Sequence, residues 1–174
     1  DLADTLNVCL QLHQKQQALL LISGEKVSAV HSGDEKDYSV LPIDELLERL
    51  QENLDARFEG NVFERGYSSH SLTSAFWKLP NQKKDLLGKY AKHLKTIGKA
   101  CLAHKLVPGI QFITSDTGIA SAQVSALLMG ISNEPIHIGS CISVDHRHKK
   151  TVENFSESLD LLFAQFGDNI KKLE

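Results

Sequence analysis

The chain has no apolar run approaching the roughly 18 residues that a membrane-crossing helix needs. Its longest apolar cluster, Ala18-Leu-Leu-Leu-Ile22, is strand-sized. Cysteine is scarce: Cys9, Cys101 and Cys141 are odd in number and far apart, each among apolar neighbours. This spacing fits neither a disulfide framework nor a zinc ribbon. It points to a reducing, cytoplasmic setting in which each thiol is buried as a small hydrophobe. There is one Trp and one Met, no internal repeat and no low-complexity segment. The sequence begins at Asp1 with neither an initiator Met nor a signal peptide, which suggests that residues 1–174 are one domain cut from a larger protein. No motif names a reaction, and no pattern names a cofactor or a metal.

What is present is the composition of an ordinary globular domain. Of 174 residues, 41% are hydrophobic and 24% charged, enough for a real core. The net charge of −3 is unevenly spread. Residues 83–105 hold Lys83, Lys84, Lys89, Lys92, Lys95, Lys99 and Lys105 against Asp85 alone, so the rest of the chain is strongly acidic. Such asymmetry can mark a binding face, although lysines on one side of an amphipathic helix are ordinarily just its solvated side. An acidic partner, such as a neighbouring chain's helix around Glu48 and Glu52, would be the next reading.

Periodicity places the elements. Residues 2–17 read as a helix, with Leu2, Leu6, Cys9, Leu10 and His13 on one side. Ala18–Ser23 and Lys26–Ser32 read as a hairpin turning at Gly24-Glu25. Pro42–Arg57 reads as a helix with Leu46, Leu47, Leu50, Leu54 and Phe58 inward and Glu48, Glu52, Asp55 and Glu59 outward. Asn61–Phe63 fits a short strand, Gly66–Ser74 a polar loop, and Trp77 a packed aromatic. Pro80-Asn81 opens a long helix to about Leu106, with Leu87, Tyr90, Leu94, Ile97 and Cys101 as its apolar stripe. Asp145–Lys150 is a charged turn. The final helix carries Val152, Phe155, Leu159, Leu162, Phe166 and Ile170 in a near-heptad seam.

Residues 109–144 are the centre of the sequence, read as strand, tight turn, short helix, turn, strand. If a helix follows Ser115-Asp116-Thr117-Gly118, its free N–H groups can hold a small anionic ligand, or Asp116 or Thr117 can cap them. The same stretch also resembles a helix-turn-helix at about 110–128. Ser121, Gln123 and Ser125 would then face DNA, with Lys92, Lys95 and Lys99 on phosphates. The recognition helix would hold no Arg or Lys, so nucleic acid is the less favoured partner. A metal site from His137, Cys141, Asp145, His146 and His148 is disfavoured. His137 and Cys141 would stand about 13 Å apart on a strand, too far to share one ion. A nucleophile–base pair of Cys141 and His137 is a weaker alternative.

The expected fold is α+β, a single mixed sheet packed with long amphipathic helices. Helices flanking a small sheet domain are also the architecture of GAF- and PAS-like sensory modules, an analogy at the level of fold only. The expected function is a non-catalytic regulatory or ligand-sensing module, homodimeric through its terminal helices and away from any membrane. A DNA-binding regulator is the alternative, and an enzyme with a site near Asp116 or Cys141 a second one.

Overall fold

The computed structural model describes residues 4–5, 8–9, 19–23, 26–31, 39–69, 72–115, 120–130, 135–146 and 150–172. Of the expected N-terminal helix, residues 4, 5, 8 and 9 are helical and the remainder lies outside the described residues. The hairpin forms from β1 (Leu19–Ser23) and β2 (Lys26–His31), paired antiparallel as a sheet of two strands.

The class is α+β. Five strands make one sheet in sequence order: β3 (Val62–Ser68), β4 (Thr73–Lys78), β5 (Val107–Thr114), β6 (Ala122–Met129) and β7 (Ile136–Val144). Every pairing is antiparallel, so the sheet is not mixed. The helices are α1 (Ile43–Arg57), α2 (Lys83–Thr96), α3 (Ala100–Lys105) and α4 (Val152–Lys171), with a 3-10 turn at Pro80–Gln82 leading into α2.

One face of the sheet builds the core. Ala75 and Trp77 stand opposite Phe112 and Ile110, which stand opposite Val124 and Ala126. All six are buried. α4 lays Phe155, Leu159, Leu162, Phe166 and Ile170 on this face, each at most 2% exposed. Phe155 meets Phe112 edge to face at 5.8 Å. The near-heptad seam is therefore spent on the chain's own core rather than left for a second subunit. α1 adds Leu46, Leu50 and Leu54, and Phe58 meets Phe163 at 5.1 Å. Trp77 is packed as expected, its Nε1 donating to Gln51 Oε1 at 2.9 Å.

Three local expectations change. Gly66–Ser74 is not a loop: β3 and β4 form a hairpin closed where the Ser69 N–H donates to the Leu72 carbonyl at 2.8 Å. Residues 122–129 are a strand and not a helix. Ala122, Val124, Ala126 and Leu128 point to the core, and Gln123, Ser125, Leu127 and Met129 point away, a period of two. Helix-favouring Ala, Leu and Met yield here to pairing on both sides, since tertiary context outweighs propensity. Finally, the long helix breaks at Gly98, whose φ is +75°. Gly98 N–H bonds the Lys95 carbonyl and Lys99 N–H the Leu94 carbonyl (3.1 and 2.8 Å), a Schellman closure that suits a residue without Cβ.

Candidate functional site: the lysine face of α2 and α3

Leu79 is buried, and Pro80 fixes the chain for entry into α2. Leu87 and Leu94 anchor α2 to the core, helped by the partly buried Leu86, Tyr90 and Ala91. That leaves Lys84, Lys89, Lys92 and Lys95 on the exposed side. The turn at Gly98 then presents Ile97, 49% exposed, beside Lys99. α3 buries Ala103 and turns Cys101, His104 and Lys105 outward. Lys83 alone is tied in, its Nζ donating to the His104 carbonyl at 2.6 Å, which clasps the start of α2 to the end of α3.

Six exposed lysines thus share one surface with Asp85, and none belongs to an ion pair among the described residues. α4 lies between this surface and α1. Asn53 and Arg57 of α1 bond Ser156 and Asp160 on one side of α4, and Gly167 approaches Leu86 of α2 on the other. The exposed side of α1 holds Asp44, Glu45, Glu48, Glu52, Asp55 and Glu59. The acids of α1 are thus held apart from the lysines by α4, which carries its own exposed Glu153, Glu157, Asp160 and Asp168.

The residues singled out from sequence are not gathered at this surface. Ser115 is fully buried at the end of β5, while Asp116, Thr117 and Gly118 lie outside the described residues. β6 follows at Ala122, so the helix N-terminus that would have supplied amides for an anion is replaced by a strand. Beside Ser115, Thr114 Oγ1 is enclosed with no hydrogen-bond partner among the described residues. Ser121 Oγ pairs with Ser143 Oγ at 2.7 Å, and Gln123 Nε2 donates to Ser121 Oγ at 3.0 Å. Gln123 and Ser125 face away from the helical layer and cannot act together with Lys92, Lys95 and Lys99. The helix-turn-helix at 110–128 is overturned, because its two helices are β5 and β6.

The cysteine expectation is also corrected: Cys9, Cys101 and Cys141 are all exposed. Cys101 moved out of the apolar stripe because the Gly98 turn ends the α2 periodicity. No group of three metal-ligating side chains occurs among the described residues. His137 and Cys141 are exposed on β7, and His148 lies outside the described residues. His146 is buried, with Nδ1 3.2 Å from the Ser39 carbonyl, and the Ser39 N–H donates to the His146 carbonyl at 2.9 Å. That pair of contacts joins the approach to α1 with the exit of β7. No helix of the described residues is long and apolar enough to cross a membrane.

Compared with protein-family models, curated proteins and solved structures, the chain matches none of them. The GAF- and PAS-like analogy gains no support from these comparisons.

Proposed function

We propose that the chain is a non-catalytic regulatory module of the cytoplasm that recruits an acidic protein partner through the lysine face of α2 and α3. The observation that carries this is six exposed lysines accompanied by Asp85 alone within residues 83–105, with the exposed Ile97 at the turn between the two helices. Carboxylates would meet the ammonium groups, and Ile97 would supply an apolar anchor at the Gly98 turn. An acidic protein is favoured over nucleic acid by what the face lacks. Residues 83–105 contain no Arg, the residue that grips phosphate bidentately, and the aromatic there, Tyr90, is half-buried and poorly placed to stack a base.

Poly-L-glutamate and a duplex DNA of matched charge are the probes. Titrated at low salt, the protein should bind poly-L-glutamate more tightly than duplex, and both should weaken as salt rises. Replacing Lys92, Lys95 and Lys99 together with Glu should reduce poly-L-glutamate binding at least tenfold with the circular dichroism spectrum unchanged. Equal binding by the triple variant would remove the lysine face from the account. Tighter binding of duplex would replace the acidic protein with nucleic acid.

A further inference from the structure

β3 is exposed at all seven positions, an unusual state for a strand that belongs to a five-stranded sheet. Val62, Phe63 and Tyr67 are 49%, 56% and 65% exposed. One side of β3 pairs with β4, and no other described strand pairs with its other side, whose backbone groups can template a further strand. The strand shifts register between Phe63 and Arg65, so its regular part is Arg65–Ser68. Arg65 stands opposite Phe76 and Tyr67 opposite Ser74, which puts both on the face away from the helices. The Arg65 guanidinium is held 4.9 Å from the Phe76 ring centroid. Gly66 points to the other face, where the Phe63 ring leans over it: a Cβ there would sit 3.1 Å from Phe63 Cζ. Phe63 in turn meets Trp77 edge to face at 5.5 Å.

We propose that β3 docks against β3 of a second copy of this chain, antiparallel, on a two-fold axis through Gly66. In that register Arg65 of each copy lies directly opposite Tyr67 of the other on the same face, a cation over an aromatic ring made twice. Gly66 faces Gly66 at the axis, where neither strand projects a side chain of its own, and the two Phe63 rings lie beside it on the helical side. Shifting the axis to Arg65 would set two guanidinium groups against each other, and shifting it to Tyr67 would lose both cation–aromatic pairs. An unrelated strand could use the same backbone groups, but this side-chain pattern complements itself. An axis perpendicular to the sheet doubles the sheet and leaves both helical layers on one side. The pairing is independent of the lysine-face reading.

Sedimentation velocity across a wide micromolar range tests it with three proteins. The unaltered chain should associate to a dimer as concentration rises. Tyr67→Arg, which opposes Arg to Arg65 at a position that is mostly solvent, should weaken association at least tenfold while its thermal melt stays in place. Adding Arg65→Glu to Tyr67→Arg sets Glu against Arg and should restore the dimer. A monomer at every concentration, a dimer indifferent to Tyr67→Arg, or no recovery in the double variant would each overturn the proposal.

Discussion

β7 and β3 end the same sheet, and their residues treat an exposed edge in different ways. β7 is irregular. Ser125 of β6 faces a stretch of three β7 residues, Gly139 to Cys141, because the register shifts between Val124 and Ala126. Gly139 takes φ +71°, and a Cβ there would run into the Asn169 side chain of α4. Ile138 and Val144 reach the core, so the strand is moored while its edge is spoiled for a neighbour. β3 has one shift near its start, then a regular stretch with no buried residue. An edge is guarded by breaking its ladder and opened by keeping the ladder regular with apolar side chains exposed.

The largest expected contrast is in burial. Ile138→Ala should destabilise the fold by about 2–5 kcal/mol, the range for truncating a buried aliphatic, whereas Val62→Ala should stay within about 0.5 kcal/mol. Urea unfolding measures both, and equal costs would dissolve the distinction. Next come the glycines of the two edges. Gly139→Ala forces a left-handed backbone and a clash with Asn169, costing about 1–3 kcal/mol. Gly66→Ala meets the tip of an exposed Phe63 ring that can swing aside, and should cost under about 1 kcal/mol. Thermal melts should rank them in that order.

A smaller effect sharpens the contrast through α4, which backs β7 and not β3. Gly167 lies inside α4, and its added Cβ would be 3.9 Å from Leu86 Cδ2, an ordinary contact. Gly167→Ala should therefore stabilise the fold by about 1 kcal/mol. Amide exchange should slow in β7, while local opening of β3 stays as it was. The smallest effect is titration. A hydrogen bond from Thr151 holds the Glu153 carboxyl below the usual carboxylate range, and one from Lys171 does the same for Asp168. Carboxyls lowered in the fold contribute fully above their unfolded pKa and lose that contribution as pH falls through the folded value. Acidification should fray both ends of α4, seen as a slight loss of helical signal before global unfolding. No change on acidification would deny these bonds a part in holding α4.

Legibility in the sequence followed the burial pattern. α1 and α4 were readable because Leu46, Leu50 and Leu54, and Phe155, Leu159, Leu162 and Phe166, keep one face inward over several turns. β5 and β7 were readable from apolar runs between turn residues. β3 was read only at its start, Asn61–Phe63, because a strand exposed on both faces shows no alternation. β6 was misread because Ala126-Leu-Leu-Met129 is buried on both faces, which erases the period of two, and its composition favours a helix. The α2–α3 break rested on Gly98, which in sequence looks like any glycine tolerated within a helix. The lysines of the candidate site were visible as a charge run. Their isolation from the acids of α1 was not, since it depends on α4 lying between the two.

Residue-resolved amide exchange of β3 and β7 at low and high protein concentration tests the open-edge account most directly. Alternate amides of Arg65–Ser68, those not bonded to β4, should exchange freely in dilute solution and become protected when concentrated, with β7 indifferent to concentration. Protection that builds in β7 while β3 stays unchanged would contradict it.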